Sequence, residues 1–267
     1  MDGRLIDLSA WEPVTTGESG ALVYRSADRT RYAKTGGADL EAERDRIDWL
    51  SARDIPGPNV LEWTPGPNGP VLITSAVRGT PADQLDAYGL DRAWPAIAEA
   101  VRRLHALPTA QCPFTRNLDA MMALARDVVA RDAVNPDFLP DEDRDVPAAE
   151  LLARVTADVP ARLAQETGDL AVCHGDLCLP NILIAPDGFS VAGFIDLGRL
   201  GLADRHADLA LLFANSRETW PEDTRAATAR GRFLDAYGIR ADPDRLAFYL
   251  QLDPLTWGYY LIIDLYK

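Results

Sequence analysis

The stretch of residues 172–196 constrains the fold of this chain more than any other part of it. It reads V-C-H-G-D-L-C-L-P-N-I-L-I-A-P-D-G-F-S-V-A-G-F-I-D. A short apolar segment leads into a polar loop, and two apolar runs, residues 181–185 and 189–195, flank the turn-forming triplet Pro186-Asp187-Gly188. Apolar runs on either side of such a turn predict a β-hairpin. The sequence therefore predicts a strand, a polar loop and a hairpin, with the loop at one end of a small sheet.

Three oxygen-bearing side chains stand at the ends of these elements. Asp176 lies in the loop, Asn181 follows five positions later, and the hairpin returns the chain to Asp196. This spacing is typical of phosphoryl transfer with kinase geometry, in which one Asp orients the acceptor hydroxyl while the Asn and a second Asp hold Mg²⁺. Asp and Asn are also common in ordinary turns, and for any single residue that is the simpler explanation. The three together, in this order, favour a kinase-type site.

Composition and charge narrow the class of partner. The chain has 267 residues, of which 47% are hydrophobic, enough for a sizeable core and for one large or two small domains. Its formal net charge is −14, from 27 basic and 41 acidic residues. Phosphate backbones and anionic lipids repel such a surface, so we expect no nucleic-acid and no membrane partner. A cationic small molecule is a compatible ligand, although surplus acid also keeps a protein soluble.

The cysteines and the hydropathy indicate a reducing compartment. Cys112, Cys173 and Cys178 make no disulfide framework, the first residues show no signal-peptide pattern, and no apolar run approaches the roughly 20 residues of a membrane span. We therefore expect a cytoplasmic protein. Cys173 and Cys178 flank His174, but this spacing matches no common structural zinc site, so both are predicted to be small buried residues.

The first third of the chain predicts a strand-rich lobe with one helix. Apolar and β-branched runs predict strands over residues 21–25, 31–34, 59–64 and 70–75. Apolar residues at helical spacing predict a helix over residues 39–50. Lys34 ends one of the strands and Glu43 lies in the first half of the helix. This order suits the ion pair that holds a lysine against nucleotide phosphates; the simpler alternative is a solvated lysine and a surface acid.

Two further segments are candidates for nucleotide contacts. The turn Gly17-Glu18-Ser19-Gly20 would let backbone N–H groups approach a phosphate, although it lacks the full glycine pattern of such loops. Residues 75–79 are the best candidate for a linker between lobes, with a backbone suited to pairing with an adenine edge. We expect an N-terminal nucleotide-binding lobe over residues 1–76, a hinge over 77–81, and a catalytic and substrate-binding lobe over 82–267.

The rest of the chain predicts a mostly helical region. An apolar stripe from Trp94 to His105 marks a core-facing helix, with His105 as a packing residue at its end. Further helices are predicted over residues 118–129, 148–163, 223–237 and 243–252. The acidic run 135–143 is either a solvated loop or a rim that faces a substrate. Asp208 begins an apolar run interpreted as a buried helix, and it caps that helix, braces the metal loop or meets a cationic ligand.

The chain resembles a known family over most of its length. His174-Gly175-Asp176 with Asn181, followed by Ile195-Asp196-Leu197-Gly198-Arg199, is similar to the aminoglycoside phosphotransferases, kinase-like enzymes that use H-G-D where protein kinases use H-R-D. H-G-D alone also occurs in choline, homoserine and fructosamine kinases. Longer blocks look like the streptomycin 3''-phosphotransferases in particular: residues 17–20, 111–114, 135–143, 198–211 and 252–258.

This resemblance implies a fold class and an activity. The expected fold is α+β and bilobal, protein-kinase-like, with an N-terminal β-sheet lobe carrying one helix and a larger, mostly helical C-terminal lobe. The expected activity is ATP-dependent phosphorylation of the 3''-hydroxyl of streptomycin, a cationic aminoglycoside, with Mg²⁺ as the metal and with antibiotic resistance as the result. A monomer is expected. The alternatives are another small-molecule kinase of the same fold, for choline, an amino alcohol or a different antibiotic, and a catalytically silent nucleotide-binding module.

The resemblance also implies roles for individual residues. Asp176 is the catalytic Asp, and Asn181 and Asp196 are the metal ligands. The residues expected around the nucleotide are Lys34, Glu43, Gly17, Ser19, Gly20, Ser75, Ala76 and Val77. The carboxylates expected to meet the drug are Asp208, Asp204 and Asp253, because guanidinium groups prefer planar carboxylate partners. A silent module need not retain Lys34, Glu43 and the three loop residues together, which weakens that alternative.

Overall fold

The computed structural model describes residues 8–14, 22–36, 39–65 and 69–258. Its strands are β1 Glu12–Val14, β2 Leu22–Arg25, β3 Arg31–Thr35, β4 Val60–Thr64, β5 Val71–Ser75, β6 Thr80–Pro81, β7 Leu170–Cys173, β8 Ile182–Ile184, β9 Val191–Phe194 and β10 Gly201–Asp204. Its α-helices are α1 Leu40–Ser51, α2 Ala87–His105, α3 Leu118–Ala130, α4 Ala148–Asp169, α5 Arg205–Ser216, α6 Asp223–Tyr237 and α7 Pro243–Leu252. The fold is α+β, with a β-sheet N-terminal region and a mostly helical C-terminal part, as predicted.

The chain forms two compact units. The first contains residues 1–103 and 178–199, and the second contains residues 104–177 and 200–267. The predicted lobe boundary at residues 77–81 stays a prediction.

The first unit is built on a five-stranded antiparallel sheet with the order β1-β2-β3-β5-β4. All four strands predicted for this region are confirmed within one or two residues at their ends. The predicted helix is confirmed as α1, whose buried residues Leu40, Ile47 and Leu50 follow the helical period. Glu43 lies on the same face, one turn after Leu40 and one turn before Ile47, and is also buried. Helical geometry therefore turns this carboxylate inward.

The predicted hairpin is confirmed as β8 and β9, which pair through Ile182 and Phe194. β6 adds to it, giving a three-stranded sheet with the order β6-β8-β9. Gly79 precedes β6, where a Cβ would lie 2.7 Å from the Ile184 carbonyl oxygen. Only glycine fits such an approach of two backbones. The predicted hinge thus contains a short strand that is tied to the hairpin.

The second unit is largely helical. Its main apolar core joins residues of α3, α4, α5 and α7, among them Leu118, Met122, Leu151 and Leu252. β7 and β10 form a separate antiparallel ribbon. The strand before the polar loop therefore pairs along its whole length with β10, a segment with little strand signal of its own.

Two predicted helix bounds in this unit are wrong. The helix expected to begin at Asp208 begins at Arg205, because the Asp204 side chain accepts a hydrogen bond from the His206 N–H and caps it. The helix expected to end at residue 163 continues to Asp169 as α4. Its Glu166 accepts a 2.7 Å hydrogen bond from the Leu118 N–H at the start of α3. A contact made in the tertiary structure thus favours the extra turns.

Within the described ranges, every helix is too short or too polar to cross a membrane.

Candidate active site

The H-G-D loop, residues 174–176, follows the buried strand β7. Residues 171–175 are all buried, and Asp176 is the first side chain after them that is partly exposed. Gly175 has φ +82°, in the left-handed region that a residue with a Cβ rarely adopts. The Asp176 N–H donates to His174 Nδ1 over 3.3 Å. The backbone turn at glycine therefore brings Asp176 out of the core at a defined position.

Asp208 braces this loop from the first turn of α5. Its Oδ2 accepts from the His174 N–H at 2.6 Å and from His105 Nε2 at 3.0 Å, and its Oδ1 accepts from the Gly175 N–H at 2.8 Å. Burial raises the pKa of Asp208, but hydrogen bonds from His105 and from the Gly175 N–H outweigh it, so the pKa is lowered and the group is ionised. Of the three interpretations of Asp208, these contacts show a brace, whereas a contact with a drug stays a prediction.

Lys34 lies between two carboxylates of the first unit. Its Nζ is 2.7 Å from Glu43 Oε1 and 3.0 Å from Asp196 Oδ1. Burial lowers the pKa of Lys34, but the charges of Glu43 and Asp196 raise it by more. The net pKa lies above its usual value, so the ammonium group is protonated. Burial raises the pKa of Glu43 above its usual value despite Lys34. The structure thus brings three of the predicted site residues, from β3, from α1 and from the end of the hairpin, into one cluster.

Replacing Glu43 with glutamine tests whether this cluster serves nucleotide binding. The neutral amide removes the buried carboxylate that positions Lys34, so we expect ADP to bind about tenfold or more weakly, since a hydrogen bond to a charged group contributes about 1.5–3 kcal/mol. Titration calorimetry with Mg²⁺ and ADP measures this. Glu41→Gln is the matched control, because Glu41 lies on the same helix with its side chain 67% exposed and paired with Arg44. Equal affinities for both variants and the native chain would contradict a nucleotide role for Glu43.

Asn181 and Asp196 suit a hard divalent cation. The Asn181 Nδ2 donates to Cys178 Sγ over 3.2 Å, and the oxygen of the same amide is the kind of atom that a hard cation would bind. The Ile195 N–H donates to the Asn181 carbonyl over 3.0 Å and so ties the residue before Asp196 to this turn. Asp196 itself has φ +60°, a left-handed conformation that Asp tolerates better than most residues with a Cβ. Oxygen ligands of this kind fit Mg²⁺.

Two of the three residues predicted around the adenine use their backbone N–H groups in hydrogen bonds within the fold. The Ser75 N–H donates to the Asn59 carbonyl at 2.9 Å, and the Ala76 N–H donates to the Thr30 carbonyl at 2.8 Å. In the described part of the chain, the Val77 N–H has no such backbone partner. Of these three amides, Val77 is therefore the one that suits an adenine acceptor. Gly17, Ser19 and Gly20 lie outside the described residues.

Asp204 has no exposed surface and is held by cationic and imidazole groups. Its Oδ2 accepts from Arg245 Nε at 3.0 Å and also from Arg245 Nη2, and its Oδ1 accepts from the ring and backbone nitrogens of His206, each at 2.9 Å. Arg245 also donates to Asp169 over 2.6 Å. These contacts join β10, α5 and α7, so Asp204 has a structural role in holding the three elements together. Its contact with a drug stays a prediction.

Asp253 is paired in a comparable way. Its Oδ1 accepts from Arg116 Nη2 at 3.0 Å and its Oδ2 accepts from Trp257 Nε1 at 2.9 Å. Trp257 in turn packs edge-on against Phe138 of the acidic run, with ring centroids 5.8 Å apart. Asp253 therefore supports the 135–143 segment through Trp257. The structure does not bring Asp204, Asp208 and Asp253 into one shared hydrogen-bond set.

Sequence reasoning missed the partners of these acids. Arg116 and Arg245 carry no motif, and His105 was predicted only to pack. Each contact depends on residues more than 40 positions apart in the chain, so no local pattern signals it.

Comparisons with known proteins identify the family of the chain. The sequence matches the phosphotransferase enzyme family over residues 12–249. Streptomycin 3''-kinase of Streptomyces griseus is 60% identical over 252 residues, with 93% of both chains covered. The aminoglycoside phosphotransferase APH(3'')-Id of Streptomyces rimosus superposes with a TM-score of 0.90 at 61% identity, covering 93% of both chains. Its complex with ADP and streptomycin superposes with a TM-score of 0.89 at 57% identity, covering 95% of this chain and all of that one (100%). The chain therefore belongs to the phosphotransferase enzyme family, in its aminoglycoside phosphotransferase branch.

Proposed function

We propose that this protein is an ATP-dependent kinase that phosphorylates the 3''-hydroxyl of streptomycin and so inactivates the antibiotic. The structural observation that carries the proposal is the Lys34–Glu43–Asp196 cluster, in which a strand lysine pairs with a helix glutamate, as in kinases, next to the Asp proposed to hold Mg²⁺. The identity to the Streptomyces griseus streptomycin 3''-kinase and the streptomycin complex of the Streptomyces rimosus enzyme support the choice of substrate.

Asp176 is proposed as the catalytic residue. Its carboxylate accepts a hydrogen bond from the attacking hydroxyl and aligns the oxygen with the γ-phosphorus. A loose transition state needs little base strength, so the contribution is mainly one of orientation. The partly exposed position of Asp176 at the end of a buried, braced segment supports this role, because a fixed backbone limits the directions its side chain takes.

Lys34, Asn181 and Asp196 are proposed to handle the phosphates. Asn181 and Asp196 would hold Mg²⁺ through oxygen atoms, and the metal, when bound, neutralises charge on the β- and γ-phosphate oxygens. Lys34 adds a fixed positive charge, and Glu43 restrains its side chain. The N–H of Val77 and the carbonyl of Ser75 would pair with the adenine edge. Gly17, Ser19 and Gly20 are proposed to lie over the phosphates.

The drug is a dication or trication, and the charge of the chain suits it. The formal charge of −14 favours approach of a cation at low salt. Asp204, Asp208 and Asp253 are the predicted carboxylate partners of the guanidinium groups. The fold already pairs all three, so a drug contact there would add to these partners or replace one of them. We further propose that the protein acts as a cytoplasmic monomer.

An ADP-release assay with a panel of acceptors tests the proposal. We expect ATP-dependent turnover with streptomycin, and at least tenfold lower kcat/KM with neomycin-type aminoglycosides and with choline, because a site that pairs guanidinium groups loses those bonds with the analogues. Mass spectrometry and phosphorus–proton NMR coupling then show one phosphoryl group at the 3'' oxygen. Preferred turnover of choline or another antibiotic would identify a different kinase. Nucleotide binding with no turnover on any acceptor would identify a silent module.

A further inference from the structure

A chain of buried polar contacts lies behind the H-G-D loop. The Tyr237 hydroxyl is 2.6 Å from His105 Nδ1, and His105 Nε2 is 3.0 Å from Asp208 Oδ2. Asp208 then receives the N–H groups of His174 and Gly175. The chain thus runs without a break from the last residue of α6, through the last residue of α2 and the first turn of α5, to the backbone next to Asp176.

Every member of this chain is removed from water. The side chains of His105 and Asp208 are 2% and 0% exposed, and Tyr237 is 3% exposed. A buried polar group that lacks a partner is costly, so removing one member leaves its neighbour unsatisfied or forces it to turn. The orientation of Asp208 is therefore sensitive to groups that never touch the loop.

The donors and acceptors follow from the chemistry of the groups. Asp208 is ionised and only accepts, so His105 Nε2 carries a hydrogen. In a neutral imidazole the other nitrogen is then an acceptor, and the Tyr237 O–H donates to it. Burial raises the pKa of Tyr237 and keeps this hydroxyl protonated. The hydroxyl thereby selects the tautomer whose Nε2–H points at Asp208.

We propose that His105 and Tyr237 are positioning residues for the transfer reaction, acting on Asp176 through Asp208 and the backbone of the H-G-D loop. This inference rests on the proposed function, in which Asp176 orients the acceptor hydroxyl. Asp208 receives the two loop amides on its two oxygens only in one rotation of the carboxylate, and the Nε2–H of His105 holds that rotation. A loosened loop lets Asp176 leave the line of attack, which lowers kcat without removing a substrate contact.

The same side chains could instead be read as a metal site, because Cys173 joins His105 and Asp208 with ligand atoms within 4.8 Å of one another. The contacts argue against it. Burial raises the pKa of the Cys173 thiol, and its Sγ donates to the carbonyls of Ala203 and Asp204 at 3.7 Å each. Both ring nitrogens of His105 and both carboxylate oxygens of Asp208 are already engaged in hydrogen bonds. The group is therefore a hydrogen-bonded chain.

Kinetics of four variants test the proposal. Tyr237→Phe removes one hydroxyl and is expected to lower kcat about three- to tenfold, with KM for streptomycin and the Kd of ADP within about twofold of native. His105→Leu is expected to lower kcat about tenfold or more. His105→Gln places a donor near the Nε2 position and should restore most of kcat. His105→Asn reaches only the Nδ1 position and should not.

Tyr249→Phe is the matched control. Tyr249 is also a buried tyrosine of the second unit, but in the described part of the chain no hydrogen bond joins its hydroxyl to His105, Asp208 or the H-G-D loop. Removal of the Tyr249 hydroxyl is expected to leave kcat unchanged. Thermal unfolding of every variant shows whether a change in kcat reflects fewer folded molecules.

Two measurements do not depend on turnover. Hydrogen exchange of the His174 and Gly175 amides is expected to accelerate in His105→Leu and to stay near native in His105→Gln. The chain has only three histidines, so their ring nitrogens can be resolved by ¹⁵N NMR. The Nδ1 of His105 is expected to carry no hydrogen. Native kcat in Tyr237→Phe, equal kcat in the Gln and Asn variants, or a protonated Nδ1 would overturn the proposal. If the native protein fails to phosphorylate streptomycin, the proposed function fails, while exchange and NMR still decide the positioning.

Discussion

Asp176→Asn is expected to lower kcat for streptomycin about 100- to 10,000-fold while ADP binds with near-native affinity, the range expected when a group that handles the acceptor proton is removed. The substitution keeps the size of the side chain and exchanges one oxygen for an NH₂ group. That group donates where a carboxylate accepts, so the acceptor hydroxyl loses the partner that aims it at the γ-phosphorus.

The comparison needs nucleotide binding and turnover from the same preparation. Calorimetry with Mg²⁺ and ADP reports binding, and ADP release in the presence of saturating streptomycin reports turnover. Asp187→Asn is the control, because Asp187 is exposed in the turn between β8 and β9 and is expected to leave both quantities unchanged. A near-native kcat for Asp176→Asn would remove Asp176 from the mechanism. A loss of ADP binding would assign it to the nucleotide.

Asp204→Ala is expected to destabilise the protein by about 3–5 kcal/mol, the usual cost of removing one partner of a buried ion pair. Arg245 is 5% exposed and, among the residues that the structure describes, would keep only Asp169 as an acidic partner. His206 would lose its acceptor, and α5 would lose its N-cap. Urea denaturation at pH 7 measures the free energy of unfolding.

Asp223→Ala is the control for this effect. Asp223 forms a 2.6 Å ion pair with Arg217 on the surface, with its side chain 94% exposed, so the expected loss is at most about 1 kcal/mol. Similar losses for both variants would show that Asp204 has no special structural task. A native free energy of unfolding for Asp204→Ala, together with a raised KM for streptomycin, would instead support its predicted contact with the drug.

The pH dependence of this effect has a definite sign. Burial raises the pKa of Asp204, but hydrogen bonds from His206 and Arg245 outweigh it, and the net pKa lies below the usual value. A carboxylate with a lowered folded pKa stabilises the fold above its unfolded pKa of about 3.9, and that contribution disappears as the pH falls through the folded pKa. The difference in unfolding free energy between the native chain and Asp204→Asn should therefore shrink below about pH 4.

Local patterns in the sequence account for much of the fold and for part of the candidate site. The helices predicted over residues 223–237 and 243–252 are α6 and α7 with the same bounds. The spacing of α1 turns Glu43 inward, and the turn at residues 186–188 makes the hairpin that ends beside Asp196. These features depend on neighbours within a few residues, where helical and strand periods act directly on burial.

The partners of the buried charges were decided only by the tertiary structure. Lys34 and Asp196 are 162 positions apart, and Arg116 and Asp253 are 137 apart. His105 is 103 positions from Asp208, which makes a residue predicted to pack part of the support of the H-G-D loop. A buried carboxylate must find donors wherever packing brings them, and packing depends on the whole chain. The sequence by itself therefore determined which residues carry the chemistry and their order, whereas the folded chain decided which carboxylates became structural supports.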